Sequence, residues 1–155
     1  KDSKNINKSI LLGTASLMPV HPDLIIAAED NLPLAANLIT DWSFGTKQHL
    51  GNHPLPGYWM IDSSIQLIKK SKKGILAKDL IACNEYKDAL TIAKNIKQEV
   101  IIIAGKQDKM TPIKKASELK NVISNSEIFI LESTGHMMMI ENPIKVTQIL
   151  YNLFK

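Results

Sequence analysis

An aspartate and a histidine each follow an apolar run in the last third of the chain. Asp108 stands in "GKQDKMTP", after Glu99–Gly105, and His136 stands in "STGHMMMIENP", after Ser126–Leu131. A carboxylate that accepts the Nδ1 proton of an imidazole fixes its tautomer and leaves Nε2 free to take a proton from a hydroxyl. Taken singly, such residues are more often a helix cap and a surface histidine. Their pairing makes them candidates for the acid and the general base of a nucleophilic relay.

Two strands separated by a helix would bring the acid and the histidine to one edge of a sheet. Glu99–Gly105 and Ser126–Leu131 have the composition of buried strands, rich in isoleucine. Thr111 before Pro112 predicts the N-cap and first position of an intervening helix, and Asn142–Pro143 repeats this signal before a C-terminal helix. Alternating strands and helices predict parallel pairing, with the chemistry beyond the carboxyl ends of the strands. Both loops are therefore expected at the same edge.

The rest of the chain predicts one further strand and a long helical stretch. Ser9–Ala15 is a short apolar run with a tight exit at Gly13. Pro22 and Pro33 mark two helix starts, and 46–57 is a loop by composition. Further helices are predicted at residues 58–70 and 75–86, followed by a short helix or turn at residues 87–96. The predicted organisation is a core strand in residues 1–15, a helical insert in residues 16–97 and a strand–helix–strand–helix unit in residues 98–155.

The charge pattern argues against a nucleic-acid partner. The 155 residues have a formal net charge of +4 but contain no arginine, the side chain that phosphate and base recognition favours. The lysine cluster "KKSKKG" near residue 70 is typical of a solvated helix end.

The sequence predicts no metal, cofactor or membrane span. Cys83 is the only cysteine, so an internal disulfide or a cysteine metal cage is excluded. His21, His49 and His53 do not form a metal-binding pattern. No apolar run approaches the roughly 18 residues that a membrane helix needs. We therefore expect a cytoplasmic protein without a membrane partner.

The two C-terminal loops carry motifs that resemble the last two strand–loop segments of the α/β-hydrolase family. That family shows G-x-x-D followed closely by proline, and later G-H followed by E-x-P. The corresponding residues here are Gly105, Asp108, Pro112, Gly135, His136, Glu141 and Pro143. "SILLGTASLMPVHP" resembles the strand before the cap insertion of that family, and residues 16–97 resemble the helical cap. The resemblance implies an α/β fold: the C-terminal part of an α/β hydrolase, with parallel strands, flanking helices and an inserted helical cap.

The resemblance also implies a serine hydrolase of the carboxylic ester type that uses a Ser-His-Asp relay. The nucleophile of the family stands in a G-x-S-x-G elbow, which these residues do not contain. Ser3 and Ser9 lack flanking glycines, and Ser133 lies too close to His136 in sequence. We expect the chain to be the C-terminal half of such an enzyme and to be nearly inert alone. The missing N-terminal half is its expected partner.

Candidate substrate contacts flank the two relay residues. Met110 and Met137 adjoin them in sequence, and Trp42 belongs to the helical stretch. Flexible thioethers suit a variable apolar group, so a small apolar ester-like substrate is expected. Ordinary core packing explains the methionines equally well. Other candidates for the pocket are Phe44, Trp59, Met60 and Met138.

A non-catalytic role is the alternative interpretation. A hydrolase-like binding or scaffold fragment that pairs with another chain would also lack the nucleophile elbow. In either case the strand at Ser9–Ala15 would lack its usual neighbour and leave an apolar edge open. The isolated chain is therefore expected to be poorly soluble or marginally folded.

Overall fold

A three-stranded parallel sheet forms the centre of the protein. The computed structural model describes residues 5–155, so Ser3 and the start of the segment predicted at residues 1–15 lie outside the described part. The strands are β1 (Lys8–Leu12), β2 (Glu99–Gly105) and β3 (Ser126–Leu131), in the spatial order β1-β2-β3. The bounds of β2 and β3 are those predicted. The strand predicted at Ser9–Ala15 instead ends at Leu12, because Gly13 turns the chain with a φ of +58°.

Six helices connect β1 to β2 and are called the helical insert below. They are α1 (Pro22–Asp30), α2 (Leu32–Ser43), α3 (Thr46–His49), α4 (Met60–Lys69), α5 (Ile75–Glu85) and α6 (Ala89–Ala93). No strand forms in residues 16–97, all of which the structure describes. The two proline-marked helix starts are confirmed.

The prediction of a loop at residues 46–57 was wrong in part, because α3 occupies the first four of these residues. Tertiary contacts explain the difference. Gln48 in α3 is fully buried, and the backbone N–H of Gly45 at its N-cap donates to the Glu141 carboxylate at 2.9 Å. Local composition does not reveal such contacts, because the two partners are 96 positions apart in sequence.

Helix α7 (Ile113–Val122) connects β2 to β3, and α8 (Met138–Glu141) and α9 (Pro143–Leu153) follow β3. One of the two predicted caps differs from expectation, because Pro112, not Thr111, is the N-cap of α7. Asn142 is the N-cap of α9, with Pro143 in the first turn, as predicted. Its side chain makes no capping hydrogen bond, and its amide nitrogen donates to the Thr134 hydroxyl at 3.3 Å.

The core lies on both faces of β2. Val100, Ile102 and Ala104 pack with α7, whereas Ile101 and Ile103 pack with α8 and α9 on the opposite face. This alternation follows from the two-residue period of a strand. A separate apolar cluster holds the helical insert together, formed largely by small residues: Leu24, Ala27, Ala28, Ala35, Ala77 and Leu80.

Across the described residues 5–155, none of the helices combines the length and apolar content that crossing a lipid bilayer requires.

Candidate active site

Asp108 and His136 are in direct contact at the carboxyl ends of β2 and β3. The distance from Asp108 Oδ2 to His136 Nδ1 is 2.9 Å. The Asp108 side chain is completely shielded from solvent, whereas the imidazole keeps 28% of its surface exposed. The parallel order of β2 and β3 places both loops at one edge, as the sequence predicted. The imidazole is therefore the accessible member of the pair.

The Asp108 carboxylate is held by donors from its own loop. Oδ1 accepts the backbone N–H groups of Met110 and Thr111, both at 2.8 Å. Oδ2 accepts the Thr111 hydroxyl at 2.6 Å, in addition to the imidazole. Several hydrogen bonds to one carboxylate fix its orientation. This carboxylate is suited to accept the Nδ1 proton of His136 and to stabilise the positive charge of a protonated imidazole.

Thr111, predicted from the sequence only as a helix cap, is also part of the site. Its hydroxyl lies 2.9 Å from the Gly13 carbonyl oxygen and 3.1 Å from His136 Nδ1, as well as contacting Asp108. It therefore connects the exit of β1 with both Asp108 and His136. The sequence shows a threonine three residues after Asp108. It does not show the turn that brings the Thr111 hydroxyl back to the Asp108 carboxylate.

Gly13 packs directly against the imidazole. A Cβ at this position would lie 3.0 Å from both Cε1 and Nδ1 of His136. The positive φ adds a second reason for glycine, because side-chain-bearing residues rarely adopt it. The sequence identified Gly13 as the exit of the first strand but not as a wall of the site.

The loop that carries His136 packs closely against two backbone segments. A Cβ on Gly105 would lie 2.1 Å from the carbonyl oxygen of Gly135, and a Cβ on Gly135 would lie 2.2 Å from that of Ser43. The backbone N–H of His136 also donates to the Ser43 carbonyl. The end of α2 and the end of β2 thus fix the histidine loop from two sides.

Glu141 is a buried residue whose carboxylate contacts the histidine loop. Its Oε2 accepts the backbone N–H groups of Gly45 and Gly135, each at 2.9 Å. Burial raises the pKa of Glu141 above its ordinary value, while the backbone hydrogen bonds oppose that shift. In the sequence, Glu141 is visible only as a member of the motif after His136, and its burial and partners are not predictable from that motif.

A cavity of about 460 Å³ opens beside the imidazole. His136 and Met110 line it from the core, and Trp42, Leu24 and Leu80 line it from the helical insert. The lining is predominantly apolar, which is typical of pockets for small organic ligands. An imidazole at the wall of such a cavity can exchange a proton with a bound molecule.

The predicted substrate contacts divide into two groups. Met110 and Trp42 line the cavity. Met137 does not, although it adjoins His136, because the chain turns at this residue into α8.

The remaining pocket candidates also lie elsewhere. Phe44 and Met60 are buried but do not line the cavity, and Trp59 is 63% exposed at the start of α4. Met138 belongs to the core on the α9 side of the sheet.

Within residues 5–155, no group of three or more histidine, cysteine, aspartate or glutamate side chains is arranged to hold a metal ion.

Solved structures of α/β hydrolases are similar to this chain over nearly its whole length. The enol-lactonase from Burkholderia xenovorans LB400 matches with a TM-score of 0.86 at 18% identity, covering 99% of this chain and 58% of that one. An esterase from Exiguobacterium antarcticum matches with a TM-score of 0.81 at 20% identity, covering 96% and 57%. The bromoperoxidase from Bacillus anthracis matches with a TM-score of 0.78 at 12% identity, covering 96% and 58%.

No protein-family profile and no curated protein matches the chain in sequence. The chain spans little more than half the length of the solved structures that it resembles. Its fold is that of the C-terminal part of an α/β hydrolase, with three parallel strands and flanking helices, as the sequence predicted.

Proposed function

We propose that the chain supplies the general base and the orienting acid of an α/β hydrolase that cleaves esters or related acyl compounds. The observation that carries this proposal is the 2.9 Å contact between Asp108 and His136 at the wall of an apolar cavity. A base next to a bound carbonyl compound is the arrangement that acyl transfer requires.

In the proposed reaction His136 acts twice. Its Nε2 takes the proton from a serine hydroxyl as the oxygen attacks the substrate carbonyl, and the same proton then goes to the departing alcohol. Water attacks the resulting acyl-enzyme, His136 takes its proton, and that proton returns to the serine when the carboxylic acid leaves. Asp108 keeps Nδ1 protonated throughout. We assign the serine to a segment outside these 155 residues, since they contain no G-x-S-x-G elbow.

The proposed substrate carries an apolar acyl or alcohol group of modest size. Trp42 lines the cavity from the helical insert, and Met110 lines it from the core. The helical insert thus acts as the cap of the pocket in this proposal. Apolar contacts of this kind tolerate variation in chain length, because one methylene changes binding only modestly.

The proposed partner is the remaining part of the hydrolase sheet. In the described part of the chain β1 pairs with β2 alone, and all five residues of β1 are half-buried. A free apolar strand edge of this kind readily accepts another strand. We place the assembled enzyme in the cytoplasm, on the sequence argument alone. The same free edge supports the alternative function, a non-catalytic scaffold that pairs with another chain.

The test joins the 155 residues to the sequence encoded in frame upstream and measures hydrolysis of short p-nitrophenyl esters. We expect turnover in the joined protein and almost none in the 155 residues alone. His136→Ala and Asp108→Asn should each lower kcat on the order of 10⁴-fold, because the relay acts as a unit. Lys106→Gln, on the exposed surface of the same loop, is the matched control and should leave kcat unchanged.

Activity that survives His136→Ala would contradict the proposed relay. A joined protein that folds, pairs its strands and hydrolyses no ester would favour the scaffold.

A further inference from the structure

Glu141 and Asp108 are the two carboxyl residues that are buried in the described part of the chain. The proposed relay uses Asp108 but leaves Glu141 unexplained. Burying a carboxyl group is unfavourable unless specific partners compensate for lost hydration. The partners of Glu141 therefore indicate what this residue does.

Those partners come from two segments that are distant in sequence. Oε2 accepts the N–H of Gly45, between α2 and α3 of the helical insert, and the N–H of Gly135, directly before the proposed base. In the amide orientation that satisfies both of its polar atoms, Gln48 of α3 also donates to Oε2 at 3.1 Å. One carboxylate oxygen thus joins the helical insert to the histidine loop.

The two segments lie so close together that neither Gly45 nor Gly135 has room for a side chain. A Cβ on Gly135 would lie 2.7 Å from the backbone nitrogen of Gly45, and a Cβ on Gly45 would lie 3.1 Å from Glu141 Oε2. Both glycines are buried. Without Glu141 their N–H groups would lose this acceptor, and buried N–H groups without a partner are strongly disfavoured.

The histidine backbone is part of the same junction. The N–H of His136 donates to the carbonyl of Ser43, the last residue of α2. A shift of the α2–α3 turn relative to the histidine loop would therefore move the backbone that carries the imidazole.

We propose that Glu141 is a positioning residue that joins the α2–α3 turn to the histidine loop and thereby holds the His136 imidazole in hydrogen-bonding reach of Asp108. Its effect on catalysis rests on the function proposed above, whereas its effect on the imidazole does not.

Two substitutions separate the acceptor role from simple packing. Glu141→Gln retains an acceptor oxygen, and its amide nitrogen takes the place of Oε1, which has no hydrogen-bond partner among the described residues. Glu141→Met fills a similar volume without an acceptor. Glu132→Met makes the same chemical change at a glutamate whose side chain is 70% exposed and serves as the matched control.

The measurement is the ¹⁵N NMR spectrum of the His136 ring, assigned with the His136→Ala variant and recorded on the 155-residue chain well below its melting temperature. We expect the Nδ1–H tautomer in the wild type, in Glu141→Gln and in Glu132→Met. Glu141→Met should give a mixture of tautomers. In the joined enzyme the same variant should lower kcat on the order of 10²-fold while KM stays nearly constant, as expected when a catalytic group is misplaced.

A lower melting temperature for Glu141→Met with an unchanged His136 spectrum would overturn the proposal, because that result describes a merely structural residue. If Glu141→Met does not fold, amide hydrogen exchange in the wild type tests the proposal instead. The amides of Gly45 and Gly135 should then be protected to the same degree. Rapid exchange of either amide would overturn the proposed junction. Loss of ester hydrolysis in every protein, with the tautomer response intact, would contradict the proposed function and support the role of Glu141.

Discussion

The loops around the candidate site and the helical insert are held together in different ways. The site loops depend on hydrogen bonds to backbone groups and on glycines at which a Cβ would meet another backbone, as at Gly105 and Gly135. The insert depends on apolar packing of small residues such as Ala27 and Ala35. Backbone hydrogen bonds and close glycine contacts allow only a narrow range of geometries, whereas apolar packing tolerates substitution. The His136 loop is thus held by contacts that leave little room for change, whereas the insert side of the cavity is held by packing that tolerates change.

Exposure strengthens this contrast. The insert exposes large apolar side chains, including Leu50, Trp59 and Leu67, whereas Asp108, Thr111 and Glu141 of the site region are all buried. Under the proposed function, changes in the insert should therefore alter which substrates bind, and changes in the site loops should alter folding or the proposed reaction.

The largest expected effect is that of Gly135→Ala. Its Cβ would lie 2.2 Å from the Ser43 carbonyl oxygen, a backbone atom that cannot move aside cheaply. We expect the free energy of unfolding to fall by more than roughly 3 kcal/mol, measured by urea denaturation. The matched change in the insert is Ala35→Gly, within α2, which should cost about 1–2 kcal/mol through lower helix propensity and the loss of one buried methyl group. Equal losses for the two variants would remove the contrast between the regions.

An intermediate effect is expected for Trp42→Ala, which enlarges the cavity from the insert side. In the joined enzyme KM for bulky apolar esters should rise about 10-fold, corresponding to the loss of a buried apolar contact, while kcat for short esters is retained. Trp59→Ala, at an exposed tryptophan of the same insert, should change neither constant. A lower kcat with unchanged KM for Trp42→Ala would place this residue in the reaction instead of the pocket.

The smallest expected effect concerns pH. Burial raises the pKa of Glu141, so the folded state binds this proton more tightly than the unfolded state does. The stability that this group contributes is fully present below its unfolded pKa and is lost as pH rises through its folded pKa. Glu141→Gln should flatten the melting temperature across that window. An identical pH profile for the variant would show that Glu141 does not titrate there.

The sequence predicted the strands and the paired site residues because those signals are local or topological. The isoleucine run of β2 identifies a buried strand, and parallel topology alone brings Asp108 and His136 to the same edge. The element bounds of β2 and β3 needed no information from elsewhere in the chain.

The contacts that complete the site could not be predicted, because they join distant segments. The Thr111 hydroxyl meets the Gly13 carbonyl 98 positions away, and Glu141 meets Gly45 across 96 positions. Met137 shows that proximity in sequence does not guarantee a place in the cavity. Its proximity to His136 in sequence suggested a pocket residue, but the start of α8 places it outside the cavity lining.

The central claim is that Asp108 holds the His136 imidazole with its proton on Nδ1 and with Nε2 available to the cavity. The ring ¹⁵N spectrum of His136 in the wild-type chain tests it most directly. We predict that near neutral pH the uncharged ring carries its proton on Nδ1, and that Asp108→Asn abolishes this preference. A wild-type ring protonated on Nε2, or a spectrum that Asp108→Asn leaves unchanged, would contradict the account.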